Sequence, residues 1–154
     1  MLSKKVKYAL KAVLYMARHY DERRIIVSEI SSQEYIPHKF LEKILLDLKR
    51  KGILESKIGR QGGYSLSRSP DRITVGEIVR LLEGKIAPIP CVSQVAYEHC
   101  FDCEDERTCE IRQVMQLVRN AMVKILDNTS LLDALRPNSK ASTHVSRILA
   151  IQSL

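Results

Sequence analysis

The sequence predicts a mainly α-helical fold with one small β-hairpin near residue 60 and a long helix in its second half. Three observations lead there. Apolar residues recur at helical spacing in two stretches before residue 52, with a short capped helix between them. Two short β-patterned runs then flank Gly59-Arg60-Gln61-Gly62-Gly63. Beyond residue 108, Ile111, Met115, Val118, Met122 and Ile125 recur in alternating steps of four and three, the spacing of a helix that packs along another helix.

The elements follow in order. Ser3 can cap a first helix running to about Tyr20, with Val6, Leu10, Val13, Leu14 and Ala17 on one face. Asp21 to Arg24 is a break. Val27-Ser28 opens a short helix through about Glu34, with Ser28 as its cap. Tyr35-Ile36-Pro37 is a tight turn, and Pro37 suits the start of the next helix. That helix, about 38–51, turns Leu41, Ile44, Leu45 and Leu48 inward and stops at Gly52 in left-handed conformation. Ile53–Ile58 and Tyr64–Ser67 read as paired strands joined by the glycine loop.

A helix, a short helix, a tight turn and a helix, followed directly by a hairpin, make a winged helix-turn-helix. The outer side of its last helix carries His38, Lys39, Glu42, Lys43, Lys49 and Arg50, with Phe40 also expected near base edges, and the wing tip carries Arg60 and Gln61. A polar helix face of this kind enters a major groove, and an arginine on a wing reaches phosphates or a narrow minor groove. The competing reading is an amphipathic surface helix beside a solubilising hairpin.

Charge favours the first reading. Residues 1–72 carry 16 Lys/Arg against 8 Asp/Glu, whereas residues 73–128 carry 6 against 9. A basic excess confined to one part of a chain is the footprint of a polyanion such as double-stranded DNA. No apolar run approaches a membrane span. Lys7 and Lys11 interrupt the N-terminal apolar stretch, which argues against a signal peptide and for the cytoplasm.

In the second half, Thr74 and Glu77 form a capping box that opens a helix ending at Gly84. A cysteine-containing loop follows. Thr108 can then cap the long helix to about Asp127, whose apolar seam wants a partner helix and predicts a homodimer. Thr129/Ser130 starts a last short helix through Leu135, and a tail runs from Arg136, loose until Val145–Ile151. The expected division is therefore a DNA-binding unit over 1–84, a sensor loop over 85–108, a dimerisation helix and its successor over 109–135, and a tail over 136–154.

The chain's four cysteines, Cys91, Cys100, Cys103 and Cys109, all lie within that loop. Buried structural cysteines are scattered through elements, whereas thiols gathered on a polar loop hold metal, hold a cluster or react with oxidants. Acidic neighbours, from Glu98 to Glu110, disfavour thiolates unless a cation is present. Four thiolates can hold an iron–sulfur cluster or a tetrahedral zinc. His19, His38, His99 and His144 form no ligand pattern, and His19 and His144 read as surface residues.

These motifs together resemble the IscR/NsrR/CymR family of bacterial winged-helix regulators over about residues 1–135. The carrying stretches are Leu2–Ala12, Ile36–Leu48 with Phe40-Leu41-Glu42, Gly59–Leu66, Ile73–Ile78 and the cysteine loop leading to Leu126-Asp127. The resemblance implies a homodimeric transcription factor whose long helices cross at the interface. It also implies a loop that, in several members, holds an iron–sulfur cluster on three cysteines and a variable fourth ligand. Other members have no cluster and sense redox state, nitric oxide or cysteine metabolism. Cys91, Cys103 and Cys109 match the three family positions and Cys100 is extra. The family's iron–sulfur regulator has a histidine three residues after the last cysteine; here Arg112 stands there and cannot ligate. His99 or a residue of the partner chain is the runner-up for the fourth ligand.

The reading is thus a DNA-binding regulator controlled by an iron–sulfur cluster, of 2Fe–2S type, with 4Fe–4S and cluster-free forms as alternatives. A thiol-redox or zinc-containing regulator of the same fold is the runner-up. An enzyme is not expected. Cys100-Phe101-Asp102-Cys103 lacks the βαβ context of a thioredoxin motif, and the sequence has neither a serine–histidine–aspartate set nor a phosphate loop. A winged helix that binds only protein is the third class.

Overall fold

The computed structural model describes residues 2–136; the tail expected from Arg136, including Val145–Ile151 and His144, lies outside them apart from Arg136 itself. Helix α1 spans Lys4–Arg18 and is capped by Ser3, whose Oγ accepts from the Val6 amide at 3.3 Å. It stops short of Tyr20, and Asp21 reverses the chain at a φ of 67°. Its buried stripe is Val6, Ala9, Ala12, Val13, Met16 and Ala17, with Leu10 and Leu14 on the flanks.

Helix α2 is Val27–Glu34, and Ser28 is not its cap. Ile25 exchanges two 2.8 Å backbone hydrogen bonds with Tyr64 of the hairpin. The chain leaves that pairing at Ile26, which takes the cap position, so Ser28 already lies inside the helix. Tyr35 closes α2 in the left-handed region. Helix α3 is His38–Arg50 and buries Leu41, Ile44, Leu45 and Leu48, as expected. Gly52 has a φ of 75°, and the Ile53 amide returns to the Leu48 carbonyl at 2.9 Å. That closure commits Ile53 to the helix end, so strand β1 begins one residue late, at Leu54–Lys57. It pairs antiparallel with β2, Gly63–Leu66, in the register Leu54↔Leu66 and Lys57↔Gly63.

Helix α4 is Val75–Glu83. Thr74 Oγ1 accepts from the Glu77 amide at 3.1 Å, but the Glu77 carboxylate turns to Arg68 at 2.7 Å, so the expected capping box is half formed. A complete box occurs instead at Ser130 and Asp133, where helix α6, Leu131–Ala134, begins. Helix α5 spans Glu110–Asp127. Cys109, not Thr108, caps it: the Cys109 sulfur accepts from the Arg112 amide at 3.4 Å, while the Thr108 hydroxyl donates to the Asp105 carbonyl.

Two apolar clusters hold these elements. The larger joins α1, α2, α3 and the hairpin, and takes in Leu131 of α6. The smaller, around Val6, Val79 and Ile86, receives Val123 and Leu126 and seats α5 on α4. Burying even two such side chains stabilises the contact by about 3 kcal/mol. Beside it Arg80 and Asp127 form a two-pronged pair, both bonds at 2.6 Å. No helix among the described residues is long and apolar enough to cross a membrane.

Candidate nucleic-acid interface and cysteine centre

Helix α3 buries one side in the winged-helix core, so its opposite side is set by geometry. Lys39, Glu42, Lys43, Leu46 and Arg50 are exposed there, and His38 and Lys49 stand at the edge. His38 Nδ1 lies 3.7 Å from Glu42 Oε1. Phe40 is on another flank, its ring edge-on to Tyr8 of α1 with centroids 5.8 Å apart. Near it Lys5 pairs with Asp47 at 2.7 Å, so this flank of α3 is tied to α1.

Arg60 and Gln61 are exposed at the tip of the wing, where the Gly62 amide donates to Gly59. Arg60, Lys57, Arg23 and Arg24 line a groove of about 580 Å³ between the wing and α2. Two of these cations are held by acids: Arg23 grips Glu29 at 2.7 and 2.8 Å, and Arg24 bonds Glu55 at 2.9 Å. Arg23 and Arg24 escaped the sequence reading because they sit in an apparent break; only the Ile25–Tyr64 pairing brings that break beside the wing.

The cysteine loop has its own order. Glu106, only 14% exposed, accepts from the Cys100 amide at 3.1 Å and from the Tyr97 hydroxyl at 3.0 Å. It also pairs with His99 at 3.0 Å and with Arg112 of α5 at 3.5 Å. The Cys100 amide, with Tyr97, His99 and Arg112, holds this carboxyl below its usual range. Glu106 therefore fastens the loop to α5 with the protein's own groups. In the sequence it was one acid among several.

Two of the four thiols, Cys103 and Cys109, meet at the start of α5, with Cys100 close enough to act on Cys103. Cys103 Sγ lies 3.6 Å from Cys109 Sγ. The thiols of Cys109 and then Cys100 push Cys103 up to about 12, whereas the Arg112 amide lowers Cys109. Cys91 is buried in the 3-10 turn Pro90–Val92 and does not join them. Among the described residues, no three His, Cys, Asp or Glu side chains converge on a point that would hold a single ion. The soft thiol donors Cys103 and Cys109, with Cys100 beside them, fit iron–sulfur ligation and equally suit zinc.

Along α5 the side away from α4 is apolar and uncovered in the single chain. Ile111 is 68% exposed, Leu117 62% and Val114 54%, with Val118 and Met122 also exposed. Met115 and Ile125, also in the expected seam, are half-buried.

A helix-turn-helix with a hairpin wing, a cysteine loop and a long amphipathic helix define a winged-helix regulator rather than an enzyme. The chain belongs to the Rrf2 family: the model described as "Iron-dependent Transcriptional regulator" matches residues 2–137. It is 41% identical over 145 residues to an rrf2-like protein of Rhodobacter capsulatus, covering 92% of this chain and 97% of that one. It is 30% identical over 132 residues to the HTH-type transcriptional regulator CymR of Bacillus subtilis, covering 86% and 87%. The structure of CymR, the global cysteine regulator of B. subtilis, aligns with a TM-score of 0.75 at 29% identity over 90% of this chain and 98% of that chain. The IscR of T. potens aligns with a TM-score of 0.70 at 27% identity, over 92% and 90%. The family resemblance in the sequence and the mainly helical fold with its small sheet are thus both shown.

Proposed function

We propose that this Rrf2-family transcriptional regulator binds an operator as a homodimer and that an iron–sulfur cluster at its cysteine loop sets its affinity. In this reading α3 enters the major groove with Lys39, Glu42 and Lys43, and with His38 at its leading end. Arg60 and Gln61 reach the flanking minor groove. Phe40 supports α3 through Tyr8. The apolar side of α5 pairs with its copy, which joins two winged units for two half-sites. Cys100, Cys103 and Cys109 supply thiolates; Cys91 would have to leave its buried turn to complete the set, and His99 is the runner-up. A bound cluster, taken as 2Fe–2S, would supply a one-electron redox centre.

The observation that carries this reading is the meeting of Cys103 and Cys109 at the cap of the helix that bears the uncovered apolar stripe. Loading the loop would act on the helix that sets the spacing of the two recognition helices. The test is anaerobic purification followed by visible absorbance, iron and sulfide analysis, and a gel shift on the upstream region of its own operon. A coloured protein that loses colour and iron in the Cys103→Ala and Cys109→Ala variants is expected. A colourless, iron-free parent would overturn the cluster, and absence of any operator shift would favour a protein-binding winged helix.

The 3.6 Å approach of Cys103 and Cys109 favours one further reading, a cluster-free thiol sensor. Hydrogen peroxide would take two hydrogen atoms from the pair, forming the S–S bond and two waters. Peptide mapping after peroxide treatment distinguishes it: a Cys103–Cys109 cross-link in iron-free protein that still responds in the gel shift selects this reading.

A further inference from the structure

Arg119 is the most deeply buried charged residue described, 9% exposed, on the side of α5 that faces α4. One of its terminal nitrogens donates to Asn120 at 3.0 Å, and its buried Nε has no partner among the described residues. Residues 134–154 contain no Asp or Glu, so no acidic side chain of the tail can serve it. An isolated buried cation is costly and calls for a counter-charge. Arg119 lines a cavity of about 220 Å³ closed by α4, α5 and the segment after Cys91. The other arginine of that cavity, Arg80, is already neutralised by Asp127. Among the described residues the site therefore holds one uncompensated positive charge.

We propose that this cavity binds a small monocarboxylate, its carboxyl group on the Arg119 guanidinium. The planar fork of arginine matches a carboxylate with two parallel hydrogen bonds. A single positive charge suits a monoanion better than a dianion. Ile86 and Val123 offer apolar wall to a short aliphatic body, and Gln94 stands exposed at the mouth. The volume admits a molecule of a few carbon atoms, below the usual range for larger ligands. An occupant would touch both α5 and the segment that follows Cys91, so it would act on the same hinge as the cysteine loop. The site stands whether or not that loop carries a cluster.

Isothermal titration of the full chain with propanoate, butanoate, lactate and pyruvate, with sulfate as a dianion control, tests this. The expected result is saturable binding of at least one carboxylate at one site per chain. It should weaken at least tenfold in Arg119→Lys, which keeps the charge but loses the fork, and vanish in Arg119→Met, while sulfate gives no saturable heat. The proposal is overturned if none of the four binds, if sulfate binds as well as they do, or if Arg119→Met binds like the parent. It is also overturned if none binds and Arg119→Met runs as a monomer where the parent is a dimer, since the cavity would then receive a partner's carboxylate. Should Arg119→Met fail to fold, the Nε–H resonance of Arg119 in the parent, identified by its absence from Arg119→Lys, decides. It must shift as the carboxylate is added, and an unmoved resonance sinks the proposal.

Discussion

Glu42 stands exposed on the outer side of α3, one turn from His38. A carboxylate in a major groove accepts from a cytosine amino group and repels most other edges. Glu42→Ala should therefore relax preference at one base pair by about 1–3 kcal/mol, read from gel shifts on single-base operator variants. Arg60→Ala should weaken binding to every operator alike and reduce the slope of log affinity against log salt by about one. If both variants bind as the parent does, α3 and the wing do not dock in this way.

Glu29 shows a different residue-level device. The Arg23 guanidinium, with help from the Tyr15 hydroxyl at 2.7 Å, lowers its carboxyl from 4.5 to about 2. A depressed carboxyl stabilises the fold at pH above its unfolded value, and that contribution fades as pH falls from about 4.5 towards about 2. Allowing for solvent screening around the half-exposed Arg23, the contribution is roughly 1–2 kcal/mol. Thermal melts across that window should fall more steeply for the parent than for Glu29→Gln; parallel profiles would show that the pair contributes nothing. Neither this network nor the Glu106 hub was legible in the sequence, because each joins residues whose proximity the fold alone creates.

At the scale of elements, α5 has two sides with two tasks. Val123 and Leu126 seat it on α4, and the opposite stripe remains uncovered in one chain. Val118→Glu places a charge in the middle of that stripe. In a dimer it would bury an unpaired carboxylate in each subunit, so the protein should run as a monomer, or unfold, and lose operator binding. A variant that remains dimeric in sizing with light scattering would reject this interface.

The α4–α5 seat also depends on one small residue. A Cβ on Gly76 would collide with the Asp127 carboxylate and come within 3.0 Å of the Leu126 carbonyl carbon. Gly76→Ala should cost about 1–3 kcal/mol, because backbone on one side of the contact cannot yield as a flexible side chain can. The urea midpoint should fall with an unchanged slope. The periodicity of α5 was plain in the sequence, and so were the core sides of α1 and α3. The reason this glycine sits at the start of α4 was not, since a close approach of two helices leaves no local pattern.

Across the whole molecule, a physical path joins the cysteines to α3. Cys109 caps α5, α5 is bolted to α4 through Arg80 and Asp127, and the Val75 and Leu131 amides bond across to Thr129 and Ile73. The segment after α5 thus returns to the winged-helix core. A change in the loop can bias the placement of the winged unit without touching DNA. Loaded and unloaded protein should differ in operator affinity about tenfold or more, which requires only about 1.4 kcal/mol of coupling. Cys103→Ala and Cys109→Ala should hold a single affinity under both conditions; variants that keep full iron content and parent-like switching would remove the loop from the sensing role.

Sequence by itself determined the helix order, the hairpin, the inward faces of α1 and α3, and the presence of a thiol-rich loop before an amphipathic helix. These are patterns of short range, written in side-chain periodicity, caps and glycine placement. Tertiary structure decided that Ile26 and Cys109 hold the caps expected of Ser28 and Thr108, because strand pairing and the Arg112 amide outcompete local preference. It also decided that Cys91 lies buried while Cys103 and Cys109 meet, that Glu106 fastens their loop, and that Arg119 is buried beside a cavity. Each of these outcomes depends on distances between residues far apart in the chain, which packing sets and periodicity does not record.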